Sequence, residues 1–212
     1  MSWQAFLLAS AALAAESKLP LRISTPDFPA QRRFINTGNF LMTRLGTAHR
    51  ERLGISMYTV ALYADLKAIK HRLKANLRSS DRVAALLREG ELPVALIFRY
   101  EQGISAERRK EFNKQALEQC WPNPEFNPDS TGYRSFENHF KDPIQRGGEF
   151  QVWIQRGVMS LRTSGGPVDR VTYPDLCRAF LACYLSETNL PGETRTLREE
   201  LLQDLGKQLE SP

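Results

Sequence analysis

The sequence predicts an α+β fold, an antiparallel β-sheet covered on one face by a layer of helices. Three observations carry this expectation. Residues 149–163 alternate apolar and polar side chains on either side of Arg156-Gly157, the pattern of a β-hairpin. The runs Ile55–Tyr63 and Val94–Tyr100 are rich in β-branched and aromatic residues, and helical spacing follows each of them. Strands that come in pairs with helices between them favour segregated layers over a regular βα alternation.

In chain order, Leu19–Ala30 carries prolines at 20, 26 and 29 and reads as a linker or edge segment. Phe34–Met42 is apolar enough to pair as a strand, with Gly38-Asn39 as a turn. Ile55–Tyr63 is a central strand. Its alternation places Ser56, Tyr58, Val60 and Leu62 on one face and Ile55, Met57, Thr59, Ala61 and Tyr63 on the other. Leu66, Ile69, Leu73 and Leu77 mark a helix, and Ser79, Ser80 and Asp81 offer an N-cap for a shorter one through Leu87, stopped by Gly90. Ser105 opens a helix to Cys120, with Phe112, Ala116, Leu117 and Cys120 inward and Arg108, Arg109 and Lys110 outward. The prolines of Trp121–Asp129 end it, and a short helix is expected over Tyr133–Phe140. After the hairpin, closed by Gly165-Gly166, Thr172 or Asp175 opens a helix through Tyr184. A last helix presents Leu197, Leu201, Leu205 and Leu209 at steps of four, a stripe that reads as core packing.

The chain divides into a predicted signal peptide at 1–14, the linker or edge segment at 15–34 and one domain at 35–209. Trp3–Ala15 is short, rich in Ala and Leu, and ends in a small-x-small pattern, though no Lys or Arg precedes it. The alternatives are an N-terminal helix packed on the domain and a start codon placed too late. Cleavage after Ala14 implies a periplasmic or secreted protein; otherwise it is cytoplasmic. No apolar run reaches the roughly 18 residues of a membrane-spanning helix, so no integral membrane segment is expected.

Residues 1–115 hold 19 basic and 10 acidic side chains, and 116–212 hold 10 and 14. The basic residues are dispersed and no nucleic-acid-binding motif accompanies them, so they read as solvated helix faces and no nucleic acid is expected as a partner. His49, His71 and His139 lack metal-ligand spacing, and no Gly-x-Ser-x-Gly elbow occurs. No metal and no cofactor is expected. Three cysteines are too few for a disulfide scaffold; Cys177 and Cys183 point to different helix faces, and either reaches Cys120 only through the tertiary fold.

Gly46–Asp65 (GTAHRERLGISMYTVALYAD) is the informative segment, reading as a tight turn, an arginine and then the Tyr58-bearing strand. It resembles the chalcone isomerase-like family, above all its small exported bacterial members. There a Gly-x-Gly-x-Arg turn precedes a Tyr-x-x-Ala-Leu-Tyr strand. Here Gly46-Thr47-Ala48-His49-Arg50 has Ala48 for the second glycine, and Tyr58-Thr59-Val60-Ala61-Leu62-Tyr63 matches the strand. Leu96–Leu117, Gly148–Leu185 and the Leu-rich terminus extend the resemblance over roughly 35–205.

The resemblance implies a chalcone-isomerase-like fold with an apolar cleft between sheet and helices. The family arginine maps to Arg50. The position that is threonine in the isomerases is Tyr58 here, as in the related fatty-acid-binding members. A later tyrosine and asparagine of the isomerases should fall near 106–113, where the sequence has Arg108-Arg109-Lys110 and no tyrosine. An arginine and a phenol at the closed end of an apolar cleft suit a carboxylate. The expectation is therefore non-catalytic binding of a small apolar carboxylate, fatty-acid-like, at Arg50 and Tyr58, with no catalytic residue assigned. The alternatives are an isomerase (intramolecular lyase) acting on a chalcone-like substrate, and a protein-interaction module using the basic helix faces. Taken without the resemblance, Arg50 reads as a surface residue pairing with Glu51, and Tyr58 reads equally well as a core tyrosine.

Overall fold

Seven strands pair strictly with their sequence neighbours in one antiparallel sheet: β1 (Gln31–Phe34), β2 (Phe40–Arg52), β3 (Ile55–Ala64), β4 (Val94–Tyr100), β5 (Glu149–Gln155), β6 (Val158–Thr163) and β7 (Asp169–Thr172). The structure, a computed structural model, describes residues 27–34, 40–52, 55–73, 79–121, 127–187 and 197–210. The predicted signal peptide, Gly38-Asn39 and Leu77 lie outside these residues. The β5–β6 turn has Arg156 at φ 52° and Gly157 at φ 70°, the left-handed pair that matches the twist of a tight hairpin. Strand β7 escapes the sequence reading because its four residues bury only Val171, too short a run to alternate visibly.

Among the described residues the helices are α1 (Leu66–Arg72), α2 (Ser80–Arg88), α3 (Ala106–Cys120), α4 (Thr131–Glu137), α5 (Pro174–Leu185), α6 (Arg198–Leu201) and α7 (Leu205–Glu210). Asp65, Ser79, Ser105 and Ser130 cap the first four by accepting from backbone N–H groups three residues on. Helix α5 instead starts on Pro174, where the missing N–H costs nothing, so neither Thr172 nor Asp175 is its cap. The expected single C-terminal helix is two short ones. Between them the Asp204 N–H leaves the helical pattern and donates to Leu45 O at 2.9 Å. Leu197, Leu201, Leu202 and Leu205 are nonetheless all buried, as a core stripe requires.

The main core lies between the helices and one sheet face, with Val60, Leu62, Leu96, Phe98 and Val152 meeting Leu176, Phe180 and Leu181 of α5. The other face carries a second cluster, Phe28, Phe34, Met42, Tyr63, Ile97 and Trp153. There the Tyr63 hydroxyl donates to Pro29 O at 2.9 Å and Arg44 donates to Phe28 O. Strand β3 is thus buried on both sides.

Two irregularities shape the β2–β3 pair. Gly46–Arg50 is no turn: it runs through the middle of β2. Gly46 is glycine because α6 crosses directly over it, leaving a Cβ only 2.4 Å from Glu200 O. At the other end, Arg50 pairs with Tyr58 but Glu51 pairs with Ser56, so Met57 is an extra residue in a β-bulge. The extra residue flips the side chains beyond it. Ile55 and Met57 join the Tyr58 face, and Ser56 turns to the opposite face.

Candidate functional site

Arg50 of β2, Tyr58 of β3 and Tyr100 of β4 stand opposite one another in register, a row across three adjacent strands on the helix-covered face. The link after β4 and the first turns of α3 close over this row. Within α3, Arg109, Phe112 and Asn113 share one face by their three- and four-residue spacing. Between them lies a cleft of about 470 Å³, within the usual size for a small-molecule site. Ile55, Met57, Ile104 and Phe112 supply apolar walls, while Arg50, Tyr58, Tyr100, Arg108, Arg109 and Asn113 supply polar groups.

Arg50 is only 1% exposed, which overturns its reading as a surface partner of Glu51. Its Nη1 donates to the Tyr58 hydroxyl at 3.2 Å, and the guanidinium lies 3.8 Å from the centre of the Phe112 ring. An arginine so deeply buried costs several kcal/mol unless its charge is met, and the Tyr58 phenol and the Phe112 face are among the groups that meet it. Tyr58 is a core residue that also lines the cleft: its ring packs edge-on against Phe98 at 5.4 Å while its oxygen accepts from Arg50.

Arg109, which the sequence places on an outward face, is 2% exposed. Its Nη1 donates to Asp142 O at 3.3 Å, and its guanidinium packs over Phe140 and Phe150. Nε and Nη2 have no hydrogen-bond partner among the described residues. The sequence signal for this burial is its place on the apolar stripe, three residues before Phe112 and seven before Ala116. Burial lowers the Arg109 guanidinium, opposed by Tyr100 and Asp142. Burial also pushes the Tyr100 phenol up to about 12, against the opposite pull of Arg109. Tyr184 of α5, raised well above its ordinary value by burial with Tyr58 adding, backs the same region. These phenols therefore stay protonated and able to donate at neutral pH.

On the opposite face, His49 sits between Ser56 Oγ, 2.7 Å from its Nε2, and Glu101 Oε1, 3.2 Å from its Nδ1. Thr59 Oγ1 donates to the same carboxylate oxygen at 2.7 Å. None of these side chains lines the cleft, and the network ties β2, β3 and the end of β4 together. Sequence spacing gives no hint of it, because the bulge at Met57 is what brings Ser56 to His49. Cys120, Cys177 and Cys183 are all free; Cys120 adjoins Cys183, whose Sγ donates to Ala116 O at 3.4 Å. Among the described residues, no cluster of His, Cys, Asp and Glu could hold a metal ion, and no helix is long and apolar enough to cross a membrane.

No protein-family model matches the chain, and no curated protein matches it in sequence. Among solved structures it is similar to a fatty-acid binding protein of Arabidopsis thaliana, with a TM-score of 0.60 at 19% identity, covering 85% of this chain and 100% of that one. At that identity the likeness speaks for architecture, and the architecture is shared over nearly the whole domain. The chain has a chalcone-isomerase-like fold.

Proposed function

We propose that this protein binds a small apolar carboxylate, fatty-acid-like, without transforming it, with Arg50 and Tyr58 holding the carboxylate. One observation carries the reading: a fully buried guanidinium hydrogen-bonded to a phenol at the wall of a mostly apolar cleft. Because Arg50 donates to the Tyr58 oxygen, the phenolic proton points elsewhere and is available to a carboxylate. The guanidinium beside it supplies the positive charge that a carboxylate needs. The fatty-acid binding of the Arabidopsis thaliana protein, whose fold this chain shares, supports the same reading.

Mass spectrometry of lipid extracted from the purified protein, followed by titration of the acid found and its matching alcohol, tests the proposal. Saturable acid binding with much weaker alcohol binding is expected. Equal affinities would remove the carboxylate from the argument.

A second reading, intramolecular ring closure of a chalcone-like substrate, draws on the presence of Tyr100 and Asn113 beside Arg50 in the cleft. Such a reaction needs a cation near the phenolate and donors for the developing enolate. Incubation with a 2′-hydroxychalcone separates the two. Binding alone leaves the spontaneous rate unchanged, whereas a saturable acceleration lost in Arg50→Ala establishes the isomerase.

A further inference from the structure

Three arginines, Arg50, Arg108 and Arg109, line the cleft, and among the described residues no carboxylate does. Glu101, which follows β4 directly, turns its carboxylate to Thr59 on the other face of the sheet. Asp142, the acidic residue whose charge acts on Arg109, is exposed, and it offers Arg109 only its backbone oxygen as a hydrogen-bond partner. One monocarboxylate on Arg50 and Tyr58 therefore leaves the site short of negative charge. It also leaves Nε and Nη2 of Arg109, buried and unpartnered, unanswered. Unmet donors on a buried cation are among the costliest groups a fold can hold.

Resting on the carboxylate-binding reading, we infer that the ligand carries two oxyanionic groups on an apolar body, the first held by Arg50 and Tyr58 and the second by Arg109 with Tyr100. The row geometry suits this. Tyr58 and Tyr100 are paired neighbours with ring centres 5.6 Å apart, Arg50 adjoins the first, and Arg109 acts on the second. Two strand spacings separate Arg50 from Tyr100, on the order of 10 Å at the backbone, so the two acid groups sit at different points of the ligand rather than on one head. Tyr100 keeps its proton and can donate to the second group. Arg108 at the same wall adds positive charge.

The test is calorimetric titration of the full-length, delipidated protein with straight-chain monocarboxylic acids and the α,ω-dicarboxylic acids of equal length, from adipic to dodecanedioic acid. At least one diacid should bind about 10-fold or more tightly than its monoacid, the scale of one further charged hydrogen-bonded contact. Arg109→Met should weaken the best diacid more than its monoacid and so abolish that advantage, while Arg50→Met weakens both classes. Dodecyl phosphate, with both charges on one head, should not match the best diacid.

Diacids no tighter than monoacids at every length would overturn the inference, as would dodecyl phosphate binding better than any of them. The wild-type comparison alone decides these points, whether or not a variant folds. If monoacids bind in an Arg50-dependent way without any diacid advantage, only the second subsite falls. If no acid binds at all, the carboxylate-binding reading falls with it.

Discussion

Replacing Arg50 with methionine should separate what this side chain does for a ligand from what it does for the fold. Its guanidinium is 1% exposed, hydrogen-bonded to Tyr58 at 3.2 Å and stacked 3.8 Å from the Phe112 ring centre. For a bound carboxylate, the loss is a charged hydrogen-bonded contact of about 1.5–3 kcal/mol, or roughly 10- to 100-fold in Kd. For the empty protein the sign reverses. Methionine fills nearly the same volume, keeps favourable sulfur contacts with Phe112 and Tyr58, and removes a charge that is expensive to bury. Exchanging buried ionic groups for well-packed apolar ones is often neutral or stabilising by about 1–4 kcal/mol. In a domain of this size each kcal/mol moves Tm by about 2–4 °C. The ligand-free Arg50→Met variant should therefore melt at or above the wild-type temperature. Added fatty acid should raise the wild-type Tm and leave the variant's almost unmoved. Scanning calorimetry of delipidated protein with and without the acid measures both. A ligand-free variant that melts several degrees lower while binding the acid normally would make Arg50 a structural residue and refute the reasoning.

Gly46→Ala should cost about 1–3 kcal/mol in urea unfolding, because its Cβ would stand 2.4 Å from Glu200 O, a backbone atom that can yield only if α6 moves. Iodoacetamide at pH 8 should label Cys120 first in peptide mass spectrometry, since the Cys183 hydrogen bond lowers that half-exposed thiol, while burial pushes Cys177 up to about 12 and Cys183 well above 9.0. Burial holds His139 below 6.5 despite Asp169, so the unfolded chain takes up the proton first; its contribution is complete above pH 6.5 and is lost as pH falls towards the lowered folded value. His139→Gln should flatten the stability curve across that window. N-terminal sequencing of the protein from its native host should find Ala15 first, outside the cytoplasm, and an intact Trp3–Ala15 would count against export.

The elements that alternate or repeat plainly are those that sequence reading places well. The ends of β4, β5 and β6 follow from VALIFRY and the Arg156-Gly157 turn, and Ser105 and the Ser79-Ser80-Asp81 run announce their helices because a cap is a local hydrogen bond. The features that stay hidden depend on partners far along the chain. Gly46 looks like a turn glycine until α6, more than 150 residues later, is laid across it. Strict alternation assigns Ile55 and Met57 to the wrong face because one bulged residue reverses the parity without altering composition. For the cleft, Arg50 and Tyr58 are legible only through family resemblance. Arg109 reads as outward because its charge outweighs its place on the apolar stripe, and Tyr100 draws no notice because its strand already explains it.

The pairing of every strand with its sequence neighbour sets an order of events during synthesis. The β1–β2, β2–β3, β5–β6 and β6–β7 hairpins can close as soon as their residues leave the ribosome, since each needs only a short loop, whereas β3–β4 and β4–β5 must first make the helices inserted between them. Strand β2 is different. Its Leu45 carbonyl waits for Asp204, and the His49 amide waits for the Glu200 carboxylate, 151 residues downstream. At about 5–20 residues per second, roughly 10–30 seconds pass before the strand that carries Arg50 can acquire its last covering layer. During that interval the helix-side face of β2 is unshielded, so α6 and α7 act as a late latch over the strand that carries Arg50 rather than as an appendage.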